Sequence, residues 1–203
     1  MKNTVIFIDT RYGEEYVDII IDHMKYLKGW SLHICSNKKG VEFYSKYFFA
    51  TFHIIEDINH QNDYNLLLTH PLFWIPFLKY EHVLFIQHDS LIFNKEIDKF
   101  LEYDYVGAPW TFQDHGGNGG LSLRDPNCMH DICNDHPYNF SLGNEDLYFC
   151  NYMFEHGYGK LAPRSVCEEF SMEVILKYDT FGAHAIDKYH DEDTCKKIKE
   201  QAQ

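Results

Sequence analysis

Between residues 4 and 36 the hydrophobic period of the chain changes twice, and this alternation limits the available folds more than any other feature. The run "TVIFID" (4–9) is short and almost continuously apolar, as a strand buried on both faces must be. The next segment, "GEEYVDIIIDHMKYL" (13–27), places Val17, Ile20, Ile21, Met24 and Leu27 on one helical face, and "SLHICS" (31–36) returns to strand character. Strand, amphipathic helix and strand in that order predict an α/β fold with a largely parallel central sheet flanked by helices.

The pattern continues along the chain. "GVEFYSKYF" (40–48) reads as a helix and "FHIIE" (52–56) as a strand. "NDYNLLLTHPLFWIPFLKY" (62–80) starts as a helix, but Pro71 and Pro76 break the amide ladder, so a kink or two short helices are expected. "HVLFIQ" (82–87) is the densest apolar strand. A second half follows, with a helix over 96–103, a strand over 104–110 and a glycine-rich loop turning into a strand over 116–124. Helices are predicted over 126–135 and 144–157, and the charged tail from Asp187 reads as a surface helix or a frayed end.

Composition narrows the function. A chain of 203 residues forms one sizeable domain, and 45% hydrophobic residues make it globular. Lys and Arg number 18 against 31 Asp and Glu, a net charge of −13, which disfavours nucleic acid as a partner. A phosphate-bearing small molecule would need local compensation, for which a divalent cation is the usual device. The longest apolar region, 66–78, is interrupted by Thr69, His70, Pro71 and Pro76 and predicts no membrane span. The apolar run at the N-terminus is too short for a signal peptide, and six cysteines without an export signal point to reduced thiols in the cytoplasm.

In "IQHDSLIF" (86–93) a carboxylate, Asp89, follows the densest strand, at the edge where open α/β sheets collect ligands. Asp89 reads either as a turn residue or as a hard oxygen ligand for Mn²⁺ or Mg²⁺. "NEDLYFC" (144–150) offers Glu145 and Asp146 at a helix start, either as dipole-complementing residues or as a general base. "CMHDICNDH" (128–136) gathers Cys128, His130, Cys133 and His136, zinc-type donors at a spacing that matches no zinc motif.

Taken in order, these stretches resemble the GT-A glycosyltransferases. "VLFIQHDSLIF" is similar to their acidic strand-end motif, in which an Asp-x-Asp triplet holds a cation against the diphosphate of a nucleotide sugar. Gln87 takes the place of the first Asp, His88 the middle and Asp89 the last, the position that ligates metal directly. "GNGGLSLR" (117–124) resembles the glycine-rich substrate wall of these enzymes, which makes Asn118, Gly119 and Gly120 substrate-binding candidates. "NEDLYF" resembles the base-bearing helix of inverting transferases and implies Asp146 as general base, with Glu145 second. "FGAHA" (181–185) resembles the late segment whose histidine, here His184, completes the metal shell.

The motifs "QHDS", "FLEYDYVGAPW", "GNGGLSLR", "EDLYF" and "FSME" together resemble an uncharacterised glycosyltransferase-like domain family. The resemblance implies a single GT-A-like (Rossmann-like) domain over 1–203, with a nucleotide-binding half (1–95) and an acceptor and catalytic half (96–190). It implies Mn²⁺ or Mg²⁺ as cofactor, a UDP-linked nucleotide sugar as donor, and a glycan or other hydroxyl as acceptor. Asp9, Thr10 and Arg11 follow the first strand, where such proteins receive base and ribose. Asp9 is placed to accept from a uracil N–H and Arg11 to face phosphate, or all three are surface-turn residues. Trp110 either stacks on an acceptor sugar or belongs to the core. Two rivals stay open: a catalytically inactive sugar- or nucleotide-binding module on the same fold, and a nucleotidyltransferase.

Overall fold

The computed structural model describes residues 2–201. The chain opens with β1 (Asn3–Ile8), α1 (Glu14–Met24), β2 (Ser31–Ser36), α2 (Lys38–Tyr44) and β3 (Thr51–Ile54). Two short helices, α3 (Gln61–Leu68) and α4 (Pro71–Trp74), and a 3-10 turn (Ile75–Phe77) occupy the proline-interrupted stretch. Pro71 starts α4, where its missing N–H costs nothing. β4 (His82–Ile86), β5 (Ser90–Ile92), β6 (Tyr105–Ala108) and β7 (Asn118–Arg124) lead to α5 (Pro126–Asp135), α6 (Glu145–His156) and α7 (Arg164–Phe170). The chain closes with β8 (Ser171–Met172), β9 (Gly182–His184), α8 (Ile186–Tyr189) and α9 (Glu192–Glu200).

The main sheet runs β3-β2-β1-β4-β7-β6. Its first four strands are parallel, β7 pairs antiparallel with β4, with Phe85 opposite Ser122, and β6 pairs antiparallel with β7 and so runs with the first four. This is the mostly parallel α/β architecture that the changing hydrophobic period predicts. Strand alternation supplies both core layers. Val5, Phe7, Leu84 and Ile86 pack with α1 residues such as Ile20, while Ile6, Ile8, Val83 and Phe85 pack with Leu68, Trp74 and Phe149.

A second, three-stranded sheet, β5-β9-β8, lies at the carboxyl end of β4. Periodicity did not predict it, because strands of two or three residues carry no period. The predicted helix over 96–103 is a 3-10 turn (Glu96–Phe100), and α7 falls in a stretch without a prediction. In the tail, α9 buries Cys195 and Ile198 against Ile186 and Met172; residues 202 and 203 lie outside the described ones. Among the described residues no helix is long and apolar enough to cross a membrane, and all six cysteines are free.

Candidate functional site

The register of the small sheet builds the first corner of the site. β5 pairs antiparallel with β9 so that Ser90 lies opposite His184, and β8 runs parallel to β9 with Met172 opposite Ala183. Asp89 just before β5, His184 ending β9 and Glu173 just after β8 therefore come into line. His184 Nε2 lies 3.2 Å from Asp89 Oδ1 and its Nδ1 lies 3.2 Å from Glu173 Oε1. The backbone N–H of Ala185 donates to the Asp89 carbonyl at 3.0 Å, and the left-handed backbone of Ala185 (φ 49°) turns the chain directly behind the histidine.

Burial works against an imidazolium at His184, but the contacts with Asp89 and Glu173 outweigh it and push the ring up to about 9. Burial alone would raise the Asp89 carboxyl; His184, His88 and Lys188 hold it well below the usual carboxylate range. Lys188 Nζ stands 3.4 Å from Asp89 Oδ2. Gln87 turns its Oε1 to His184 Nε2 at 3.1 Å, so the residue in the first position of the acidic triplet contacts the histidine.

The donor set fits a hard divalent cation in three respects. Asp89 Oδ1 is a buried atom whose nearest charged neighbour is His184 Nε2 at 3.2 Å, with no further hydrogen-bond partner in the protein. His184 presents Nε2 to the same spot, where a cation would have to displace its proton, and Glu173 holds Nδ1 in the manner of the outer carboxylate that orients a metal-binding imidazole. Among the described residues, however, no group of three or more His, Cys, Asp or Glu could hold a metal ion alone. Asp89 and His184 thus offer two donors, and the remaining positions would fall to phosphate oxygens and water, as is usual for Mg²⁺.

A cleft of about 350 Å³ opens beside this corner, bordered by Asp9, Arg11, Tyr64, Gln87, Asp89 and Lys188 among others. Within it Arg11 grips Asp9 with Nε and Nη2 at 3.0 and 2.7 Å, and its backbone N–H adds a third bond at 2.9 Å. Arg11 Nη2 also meets His88 Nδ1 at 3.1 Å. Asp9 is therefore committed to shaping the arginine, and Arg11 is the group that presents charge to the cleft. Thr10 is buried, and its Oγ1 accepts from the Ile58 N–H at 3.1 Å, which pins the loop after β3.

The second corner forms where β7 begins. The β6–β7 register breaks between Gly107 and Ala108, so that β7 bulges over residues 119–121. A side chain at Gly119 would strike Glu145 Oε1 and Arg124 Nη2, and one at Gly120 would strike His184 Nε2, each within 2.5 Å. On the side where a Cβ would point, both glycines therefore pack against protein side chains, which is what requires glycine at 119 and 120. Asn118 Oδ1 accepts from the Gly120 N–H at 2.8 Å and belongs to the same turn.

Arg124, fully buried, forks onto Glu145 with Nη1–Oε2 at 2.6 Å and Nη2–Oε1 at 3.0 Å, beneath the rings of Phe85, Tyr105 and Phe149. Both oxygens of Glu145 are occupied, so it is poorly placed to take a proton. Asp146 has no such cation. Burial and the neighbouring Glu145 charge push its carboxyl up to about 7, against two backbone N–H donors, Leu147 at 2.8 Å and Gly119 at 3.1 Å. Asp146 is 7% exposed.

Trp110 belongs to the core, and the exposed Phe112 stacks on it with ring centroids 5.5 Å apart, so Phe112 is the ring that faces solvent. The zinc-type cluster does not assemble. Cys133 is buried against the Leu68 carbonyl, while His136 stacks on Tyr152 and contacts the Tyr158 hydroxyl. Sequence reading missed two residues of the site. Glu173 lies within the quoted "FSME", and Arg124 carried its own signal, because an arginine in an apolar strand requires a buried partner.

The fold is one that a glycosyltransferase uses. The crystal structure of the apo-form glycosyltransferase GlyE in Streptococcus pneumoniae TIGR4 superposes with a TM-score of 0.57 at 13% identity, over 95% of this chain and 55% of that one. The chain therefore spans about half the length of GlyE. A197 from STIV gives a TM-score of 0.43 at 15% identity, over 81% of this chain and 80% of that one. No curated protein matches by sequence. The model of a family described as "Protein of unknown function (DUF5672)" matches residues 46–186, and the chain belongs to that family.

Proposed function

We propose that the protein transfers a sugar from a UDP-linked nucleotide sugar to an acceptor hydroxyl, with Asp89 and His184 holding Mn²⁺ or Mg²⁺ and Asp146 as the general base. One observation carries this reading: two carboxylates at one end of the sheet stand in opposite surroundings. The half-buried Asp89 lies beside His184 and Lys188, which hold it ionised, and Asp146 is buried next to the Arg124-pinned Glu145, so that burial and that charge push it up to about 7. Environments that drive two carboxyls apart in this way divide ligand and acid–base roles between them. A carboxylate titrating near neutrality is suited to taking a proton from an alcohol as its bond forms.

When bound, the cation would supply positive charge to offset that left on the departing diphosphate. Arg11 and Lys188 bring their own charges to the same cleft, in a chain whose net charge is −13. The acceptor oxygen gives its proton to Asp146 and attacks the anomeric carbon from the side opposite the diphosphate, which leaves with the bonding electron pair. The product configuration is inverted. Glu145, pinned by Arg124, keeps its negative charge beside Asp146 and thereby raises the basicity of that group.

The test is to incubate the full chain with UDP-sugars and Mn²⁺, with and without a chelator, and to assay the released nucleotide. Release of UDP that stops on chelation supports transfer. Release of pyrophosphate would reassign the protein as a nucleotidyltransferase, and binding without turnover would make it a sugar-nucleotide receptor.

A further inference from the structure

Tyr64 borders the cleft, is 7% exposed, and its hydroxyl has no hydrogen-bond partner in the protein. A buried, unsatisfied hydroxyl destabilises the fold that holds it, so a well-packed helix does not retain one without compensation. The helix bearing it is firmly placed. Next to Tyr64 on α3, Asn65 donates from Nδ2 to Asn144 Oδ1 at 3.2 Å and accepts the Glu145 N–H at 3.2 Å, which ties α3 to the start of α6. Tyr64 thus borders the same cleft as Gln87 and Asp89, one residue from the Asn65 tie to the Glu145 backbone, and no protein group near it, Gln87 included, meets its hydroxyl in hydrogen-bond geometry.

We infer that the Tyr64 hydroxyl is the specificity-determining group that hydrogen-bonds a ring hydroxyl of the transferred sugar. The inference rests on the site reading proposed above. If the diphosphate lies at Asp89 and the acceptor oxygen meets Asp146, the sugar must occupy the space between them, and Tyr64 brings to that cleft an orphaned polar atom besides Asp89 Oδ1. Phenol and alcohol would each donate or accept, and the interaction would form only when the sugar is present. A site built to pair with a substrate hydroxyl discriminates strongly against an analogue that lacks it, because its own buried group is then left unpaired.

The experiment compares wild type and Tyr64→Phe as full chains in Mn²⁺. Calorimetry measures the affinity for UDP, UDP-glucose, UDP-galactose and UDP-N-acetylglucosamine, and thermal unfolding is followed without ligand. The substitution is expected to weaken the best-bound UDP-sugar about tenfold or more, leave UDP within about twofold, and keep or raise the unfolding temperature of the free protein. Equal affinity for the sugar nucleotide in both proteins would overturn the inference, as would a matching loss of UDP affinity. A Tyr64→Phe protein that unfolds or melts earlier would also overturn it, since the hydroxyl would then have a structural partner. Wild type that binds UDP but gains nothing from any of these sugars would overturn the inference and leave the site reading standing. Wild type that binds none of these ligands would overturn both.

Discussion

Asp89 and Asp146 sit at the same edge of the same sheet, both largely buried, and are driven in opposite directions. Asp89 faces His184, His88 and Lys188 and stays ionised; Asp146 faces Glu145, whose compensating Arg124 is spent on Glu145 itself. Burial raises both and is the largest influence on Asp146, which the Glu145 charge pushes further the same way; at the less buried Asp89, His184, His88 and Lys188 overcome it.

The most damaging way to break the comparison is to remove that arginine. Arg124→Ala leaves Glu145 as an uncompensated buried charge and is expected to cost about 3–5 kcal/mol in urea denaturation. A loss under about 1 kcal/mol would show that the pair is solvated. Next comes Asp146→Asn, which keeps the shape of the corner and removes the base. Sugar transfer is expected to fall about 10²–10⁴-fold while Mn²⁺ and UDP binding hold. Undiminished transfer by this variant would end the base assignment. The intact enzyme should gain activity as pH rises through about 7, where Asp146 loses its proton.

At the first corner the effect is smaller and indirect. Glu173→Gln leaves Asp89 and His184 in place but removes the carboxylate that orients the imidazole, so Mn²⁺ affinity should fall about 10–100-fold. If titration calorimetry shows wild-type affinity, Glu173 is only packing.

How far these corners could be seen in the sequence follows from the range of the forces that build them. The strands β1, β2, β3 and β4 and the helix α6 are written in local hydrophobic period, and Pro71 and Pro76 locally dictate the broken α3–α4 region. Asp89, Asp146 and His184 were picked out by their likeness to known motifs. Nothing local shows that His184 reaches Asp89 across a two-strand pairing, or that Glu173 backs it, because a three-residue strand has no period to read. The glycines at 119 and 120 were legible as a demand for space, while the occupant of that space was not. Asp9 and Thr10, legible only as ligand-facing or surface-turn residues at a strand end, hold Arg11 at the border of the cleft and accept from Ile58, contacts that no local pattern shows.

The finest test sets the two corners against each other in the stability of the metal-free protein. Asp146 has a folded pKa of about 7, above the unfolded value of about 4, so its contribution is complete below about pH 4 and lost as pH rises to about 7. His184 is raised to about 9 from about 6.5, so its contribution is complete below about pH 6.5 and lost as pH rises through about 9. Asp89 acts oppositely, adding stability above about pH 4 that is lost on acidification. Urea denaturation of the chelated wild type should therefore show stability declining in two overlapping steps as pH rises from about 4 to about 9. Asp146→Asn should remove the first step and keep the second, and Glu173→Gln should shrink the second and keep the first. Should Asp146→Asn retain the lower step, that titration belongs to another group, and the opposition between the two carboxylates is not what sets the pH profile.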